Sequence, residues 1–132
     1  MEKVLEFKIE LDEIYEVNGS LGNVAMILFR GICESDIFQG KVLPGAVDTQ
    51  VQRNGADKII SAKYILEGTD QLGCKCRIFV DNCGTVRNGT SLLKTKPMIM
   101  TDSVALKWLE TANLSGSVEQ EQDYIIIKIY HE

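Results

Sequence analysis

The stretch Leu5-Glu-Phe-Lys-Ile-Glu-Leu-Asp12 decides the fold, because apolar and charged residues alternate along it without a break. A period of two places the apolar residues on one face of a β-strand and the charged residues on the other, whereas a helix would mix them on every face. The segment Asp123–Tyr130 is rich in β-branched and aromatic residues, which is also typical of a strand. Strands are therefore predicted near both ends of the chain.

Turn residues separate further strand-like runs between these two segments. Asn54-Gly55 stands between Val47–Arg53 and Lys58–Leu66, and this dipeptide favours a two-residue hairpin that would pair Arg53 with Ala56. The open alternative is a bulge or a longer loop at residues 56–58, which alone would let Asp48, Gln50 and Tyr64 meet. Asn88-Gly89 predicts another turn. The composition of Ser103–Asn113 permits a short helix. About eight short strand runs at close spacing indicate an all-β sandwich or barrel.

The two terminal strands favour the barrel. An exposed alternating strand is an aggregation hazard at the edge of a sheet, and pairing the two terminal strands removes both edges. We therefore expect Leu5–Leu11 to pair with Ile125–Ile129. The prediction is one domain over residues 1–132: a single antiparallel β-barrel with lipocalin-like, up-and-down closure and at most one short helical segment.

Composition narrows the classes of partner. The net charge is −5, with no cluster of Lys and Arg of the kind that binds phosphate, so nucleic acid is not expected. The charged N-terminal segment does not resemble a signal peptide, and no apolar run is long enough to span a membrane. A cytoplasmic location is expected, in which the four cysteines (Cys33, Cys74, Cys76 and Cys83) would be free thiols.

The sequence lacks the residues that several classes of catalytic site require. The single histidine, His131, is next to the last residue, which argues against Ser-His-Asp or Cys-His catalysis and against histidine-based metal sites. Neither the G-x-G-x-x-G nor the G-x-x-x-x-G-K-S/T phosphate loop occurs. We therefore expect no metal and no cofactor.

The segment Phe38-Gln-Gly-Lys-Val-Leu-Pro-Gly-Ala-Val-Asp-Thr-Gln50 resembles the G-x-V-L-P-G-G-A-D-W-Q segment of the domain of unknown function 3237 family, also called uncharacterised protein family 0311. The order of four further motifs agrees with that family: Ala62-Lys-Tyr64, Asn82-Cys-Gly84, Lys94-Thr-Lys-Pro97 and Trp108-Leu109. The resemblance extends from about Leu5 to Tyr130.

The resemblance implies a compact antiparallel barrel. Most members have no assigned activity, and a few fungal relatives act in the cyclisation of natural products. This chain departs from the pattern at Val47, Thr49 and Lys94, where the family usually has Ala, Trp and Arg. Lysine lacks the planar, bidentate fork of arginine.

Asp48, Gln50 and Tyr64 are the first candidate site residues. Asp48 and Gln50 lie on the same face of one strand, directly after the Pro44-Gly45 turn. Tyr64 alternates with apolar residues and is expected to face the interior. As a catalytic pair, Asp48 would be the general base and Tyr64 an acid or hydrogen-bond donor, with Gln50 binding ligand. The competing interpretations are a solvated outer face for Asp48 and a structural tyrosine in the core.

Asn82, Lys94 and Trp108 are the remaining candidate ligand-binding residues. Each has a structural alternative. Asn82 precedes Cys83-Gly84 and suits a turn, Lys94 suits the solvated surface, and Trp108 suits the core or the rim of a pocket.

Three functions remain open. The first is a barrel that binds a small, partly apolar molecule at a polar site at one end of the lumen. The second is a cofactor-independent cyclase or isomerase, in which Tyr64 or Lys94 would stabilise negative charge. The third is an assembly protein with a filled barrel. The expected partner is an unidentified small molecule, and homo-oligomerisation is left open.

Overall fold

The computed structural model describes residues 1–87, 89–90 and 94–132. The predicted turn at Asn88-Gly89 lies partly outside these residues. The described part of the chain is built from antiparallel strands and one short 3₁₀ helix, Lys107–Glu110. The strands are β1 Glu2–Gly19, β2 Gly22–Glu34, β3 Phe38–Val42, β4 Val47–Arg53, β5 Lys58–Asp70, β6 Lys75–Val86, β7 Lys96–Thr101, β8 Leu114–Gln120 and β9 Ile125–His131.

The strands follow one another around a closed β-barrel. β3 and β4 act as one interrupted strand, since both pair with β2 on one side and with β5 on the other. β7 meets β8 at Thr95 and Gly116, whose backbone groups exchange two hydrogen bonds of 2.9 Å. The circle closes where β1 pairs with β9, with Leu5 opposite Ile129 and Ile9 opposite Ile125. The predicted barrel and its closing strand pair are both confirmed.

The hairpin between β4 and β5 differs from the prediction. The tight pairing of Arg53 with Ala56 is wrong, and the alternative of a longer loop is correct: the last paired residues are Val51 and Ile59, and residues 54–57 form the loop. The Ala56 amide donates to the Arg53 carbonyl at 3.0 Å inside that loop. The register therefore shifts by one residue, and a shift of one residue exchanges the two faces of a strand.

One half of the barrel is filled with apolar side chains. This filled end is the one at which β1 begins, β7 ends and β9 ends. Its largest fully buried side chains come from most strands and from the segment around the 3₁₀ helix: Leu5, Phe7, Phe38, Leu66, Ile78, Ile99, Leu106, Leu109, Leu114 and Ile129. The core needs no ligand to fill it at this end.

The segment with the 3₁₀ helix seals the filled end. Its buried Ser103 hydroxyl donates to Asp70 at 2.7 Å, and the backbone amides of Leu72 and Cys74 donate to the same carboxylate. These bonds lower the pKa of Asp70, the bond from Ser103 having the largest effect. Within Ser103–Asn113, where the composition permits a short helix, only Lys107–Glu110 is helical, as one turn of 3₁₀ helix.

The four cysteines are free thiols, with Cys33 and Cys76 buried and Cys74 and Cys83 exposed. Cys74 precedes the first residue of β6, so it does not share a strand face with Cys76. Within residues 1–87, 89–90 and 94–132, no helix has the length and apolar character needed to cross a membrane.

Candidate functional site

A row of directly paired residues brings two predicted site residues to the inner wall of the barrel. Asp48 on β4 pairs with Ala62 on β5, and Ala62 pairs with Asn82 on β6. Directly paired residues project from the same face of a sheet, and Ala62 and Asn82 are both buried. The small Ala62 side chain leaves space between the two polar groups. We call Asp48, Ala62 and Asn82 the polar layer.

Asp48 is a half-buried carboxylate with one unpaired oxygen. Gln50 Nε2 donates to Asp48 Oδ2 at 2.9 Å, whereas Oδ1 is buried without a hydrogen-bond partner. Burial raises the pKa of Asp48, and the hydrogen bond from Gln50 and the charge of Lys58 oppose that rise. The unpaired Oδ1 is therefore available to accept a proton or a hydrogen bond.

Lys58 is a further candidate site residue, which the sequence pattern did not single out. In the predicted two-residue hairpin, Lys58 would have been on the face opposite Asp48. The observed register puts it two residues before Ile60, on the same face as Ala62 and Tyr64. The alternation of apolar residues from Ile60 to Leu66 was the signal that could have revealed it, because Lys58 continues that series.

A second unsatisfied polar pair lies where β7 meets β8. Asn82 Oδ1 and Thr95 Oγ1 are both buried without hydrogen-bond partners. A methyl group added at Gly116 would lie 2.3 Å from Thr95 Oγ1 and 3.4 Å from Asn82 Oδ1, so both oxygens approach this glycine. Asn82 is within β6 and faces the lumen, so its structural alternative as a turn residue does not hold. Thr95 was missed, although its alternation with Pro97 and Ile99 marks it as inward.

Tyr64 forms the floor beneath the polar layer. Its ring packs edge-to-face against Phe7 and Phe29, with centroid distances of 5.7 and 5.2 Å. Its hydroxyl is buried without a hydrogen-bond partner. Burial strongly raises the pKa of Tyr64, and the Cys33 thiol raises it further. Asp48 and Tyr64 share the inner face, as the site hypothesis requires. The charge of Lys58 acts on Asp48, whereas the Cys33 thiol acts on Tyr64.

Lys94 and Trp108 lie outside the polar layer. Lys94 is exposed, and the lysine whose charge reaches Asp48 is Lys58. Trp108 belongs to the 3₁₀ helix at the filled end, where its ring lies 5.3 Å from that of His131. It lines a surface cleft of about 480 Å³ there, together with Leu5 and Glu34. The structure thus hydrogen-bonds Asp48 to Gln50, places Asn82 on the same inner face across Ala62, and separates Lys94 and Trp108 from them.

The open end of the lumen has a small, polar mouth. A cavity of about 180 Å³ there has a mostly polar lining: Glu16, Asn18, Asn23, Gln50, Gln52 and Lys58, with Val24 and Ala25. Among the described residues, no group of three or more His, Cys, Asp or Glu side chains could hold a metal ion. The inner wall instead offers hydrogen-bond acceptors, one of which belongs to a carboxylate near a lysine.

The raised pKa of Asp48 makes a prediction about pH. A carboxyl group whose pKa is higher in the folded state than in the unfolded chain contributes stability at low pH, and this contribution is lost as the pH rises through the folded pKa. Asp48→Asn is therefore expected to gain stability relative to the unsubstituted protein as the pH rises. Urea unfolding at a series of pH values measures the difference. A difference that is the same at every pH would contradict the effect of burial on Asp48.

The fold is shared with solved structures whose sequences are only distantly similar. One is a protein of unknown function from Clostridium acetobutylicum, with 23% identity and a TM-score of 0.79 over 98% of this chain and 94% of that one. Another is a beta-barrel like protein from Acinetobacter baumannii, with 19% identity and a TM-score of 0.79 over 98% and 93%. A third, described as an enzyme from Penicillium herquei, has 16% identity and a TM-score of 0.67 over 98% and 96%.

No family model and no curated protein matches the chain. At these levels of identity, the likeness to solved structures establishes the β-barrel fold and assigns no activity.

Proposed function

We propose that this protein binds a small, partly apolar molecule at the open end of its barrel. The observation that carries the proposal is the set of unsatisfied oxygens on the inner wall: Asp48 Oδ1, Asn82 Oδ1, Thr95 Oγ1 and the Tyr64 hydroxyl. A buried polar group without a partner costs about 1–3 kcal/mol, so such groups are rare unless something else satisfies them. A bound ligand satisfies several of them at once.

The chemistry of these atoms defines the ligand. The unpaired oxygens of Asp48 and Asn82 accept hydrogen bonds, so the ligand must carry donors such as hydroxyl or amino groups. The ligand is small, because the mouth cavity of about 180 Å³, which Gln50 and Lys58 line, is smaller than the usual ligand pocket of about 300–1,000 Å³. Asp48, which accepts the hydrogen bond from Gln50, is reached from this mouth. Membership of the domain of unknown function 3237 family is part of the proposal, on the ordered motifs.

A second candidate function is a cofactor-independent cyclase or isomerase. The half-buried Asp48 favours it, because a carboxylate with a raised pKa is a better general base than one in water. The Lys58 ammonium acts on the same carboxylate and would stabilise negative charge that develops on a substrate. One structural neighbour, the protein from Penicillium herquei, is described as an enzyme.

The binding proposal is tested by native mass spectrometry of the protein purified from its own cells. We expect a co-purifying small molecule bearing hydroxyl or amino groups. Its affinity should fall by about 10- to 100-fold in Asp48→Asn, the equivalent of losing one hydrogen bond to a charged group. Asp81→Asn is the matched control, since Asp81 lies one residue before Asn82 on β6 and bonds to outward Ser61 and Cys83.

Two outcomes would contradict the binding site. One is an unchanged affinity in Asp48→Asn, and the other is an equal loss in Asp81→Asn. Incubating the captured molecule with the protein distinguishes the enzyme alternative from binding alone. Conversion to an isomer of the same mass but different chromatographic retention, lost in Asp48→Asn, supports catalysis. Recovery of the molecule unchanged supports binding alone.

A further inference from the structure

The cleft of about 480 Å³ beside Trp108 opens where β1 and β2 separate at the filled end of the barrel. The pairing of these two strands ends at Phe7 and Cys33. The preceding amide on β1, that of Glu6, donates instead to the Ser35 hydroxyl at 2.9 Å. The backbone therefore holds the cleft open, and a side chain satisfies the amide that the separated strand leaves behind. We call this space the Trp108 cleft.

The Trp108 cleft has the size and the apolar lining of a ligand pocket. Its volume lies within the usual range of about 300–1,000 Å³. The lining includes the buried Val4 and Leu5 and the half-buried Ile37. A ligand with alkyl groups thus finds an apolar surface there.

Trp108 gives the cleft an aromatic wall. Its side chain is 37% exposed, whereas the adjacent Leu109 is buried in the core. The ring of Trp108 also packs against His131, but His131 does not line the cleft. The face of an indole ring attracts cations more strongly than that of any other aromatic side chain. Part of this ring is therefore free to contact a positively charged ligand.

The charge of the Trp108 cleft is negative. Its lining contains one lysine and four carboxylates: Lys3, Glu2, Glu6, Glu34 and Asp36. Lys3 pairs with Glu6 at 2.8 Å. In the part of the chain that the structure describes, Glu2, Glu34 and Asp36 have no ion-pair partner. A cleft lined by charges of one sign concentrates ligands of the opposite sign.

We propose that the Trp108 cleft binds a small organic cation, an ammonium group that carries methyl or methylene substituents. The indole ring and the apolar lining contact the substituents, and the three unpaired carboxylates attract the charge. A bare metal ion is a poorer match, because the described residues contain no group of three or more His, Cys, Asp or Glu side chains that could hold one. The cleft and the open mouth are at opposite ends of the barrel, so this inference is independent of the ligand proposed for the mouth.

A titration with choline, followed by tryptophan fluorescence, tests the proposal. Trp108 is the only tryptophan of the chain, so a change in its emission reports on this cleft. We expect a saturable change at millimolar choline. The neutral alcohol 3,3-dimethylbutan-1-ol, which has the shape of choline without its charge, should cause no such change at the same concentrations. Added sodium chloride should raise the dissociation constant for choline, because salt screens the carboxylates.

Two double variants test the role of the carboxylates. Glu34→Gln combined with Asp36→Asn should raise the dissociation constant for choline by at least about 5-fold. Glu121→Gln combined with Asp123→Asn is the matched control, because it removes the same charge from exposed residues of the β8–β9 turn at the open end. The control should leave the dissociation constant within about 2-fold, since charges so far away are screened.

Four outcomes would overturn the proposal. The first is the absence of a saturable change with choline, and the second is an equal response to the neutral alcohol. The third is an equal loss of affinity in the two double variants. The fourth is the same saturable change with calcium chloride at matched ionic strength, which would assign the cleft to a metal ion instead of an organic cation.

Discussion

Phe7→Ala is expected to lower the free energy of unfolding by about 3–5 kcal/mol, a large fraction of the roughly 5–15 kcal/mol that stabilises a domain. Phe7 is fully buried, and its ring supports that of Tyr64. The substitution opens a cavity beneath the floor of the candidate site. It should therefore also loosen the position of Tyr64. Urea unfolding followed by far-ultraviolet circular dichroism measures the loss.

Phe79→Ala is the control for Phe7→Ala. Phe79 is also on a central strand, but it is only half-buried and alternates with the buried residues Ile78 and Val80. Phe79→Ala should lower the free energy of unfolding by less than half as much as Phe7→Ala does, because water fills the space left at a half-exposed position. Equal losses for the two variants would contradict the assignment of Phe7 to the core.

Gly68→Ala is expected to cost about 3 kcal/mol or more, the upper range for overpacking. Gly68 on β5 pairs with Gly40 on β3. A methyl group at Gly68 would lie 1.9 Å from the Gln39 carbonyl oxygen and 2.5 Å from the Gly40 Cα. Both are backbone atoms, so relief requires the two strands to move apart.

Gly19→Ala is the control for Gly68→Ala, and the same unfolding measurement applies. At Gly19, the nearest atom to an added methyl group is the Gly22 carbonyl oxygen at 3.4 Å, which is ordinary contact. Its stability should change by less than about 1 kcal/mol. A similar cost at the two glycines would show that close strand approach at Gly68 is not the cause.

The sequence was sufficient to predict the barrel, because its decisive signals are local. Alternation in Leu5–Asp12 and the β-rich composition of Asp123–Tyr130 identify two strands, and the need to remove sheet edges pairs them. The hairpin register was not predictable in the same way. Asn54-Gly55 indicates a turn, but the length of its loop depends on the packing of the whole of β5 against β4 and β6.

That one-residue error determined how much of the candidate site could be predicted. It hid Lys58, which joins Asp48 on the inner wall only in the longer-loop register. Lys94 was favoured in its place through the family resemblance. Its exposure depends on tertiary structure, which the sequence pattern does not contain. Asp48 and Gln50 were found because they follow the Pro44-Gly45 turn at positions that the family resemblance marks, and Tyr64 because it alternates with apolar residues on its strand.

The pairing of β1 with β9 has a consequence for synthesis on the ribosome. Leu5 and Phe7 emerge early, yet their partners Ile129 and Ile127 are among the last residues of the described chain to be made. The barrel therefore cannot close cotranslationally until β9 has left the exit tunnel. Contacts between such distant residues also slow folding. Throughout elongation, β1 therefore lacks its pairing with β9. Chaperones that bind extended apolar segments should associate with β1 at this stage.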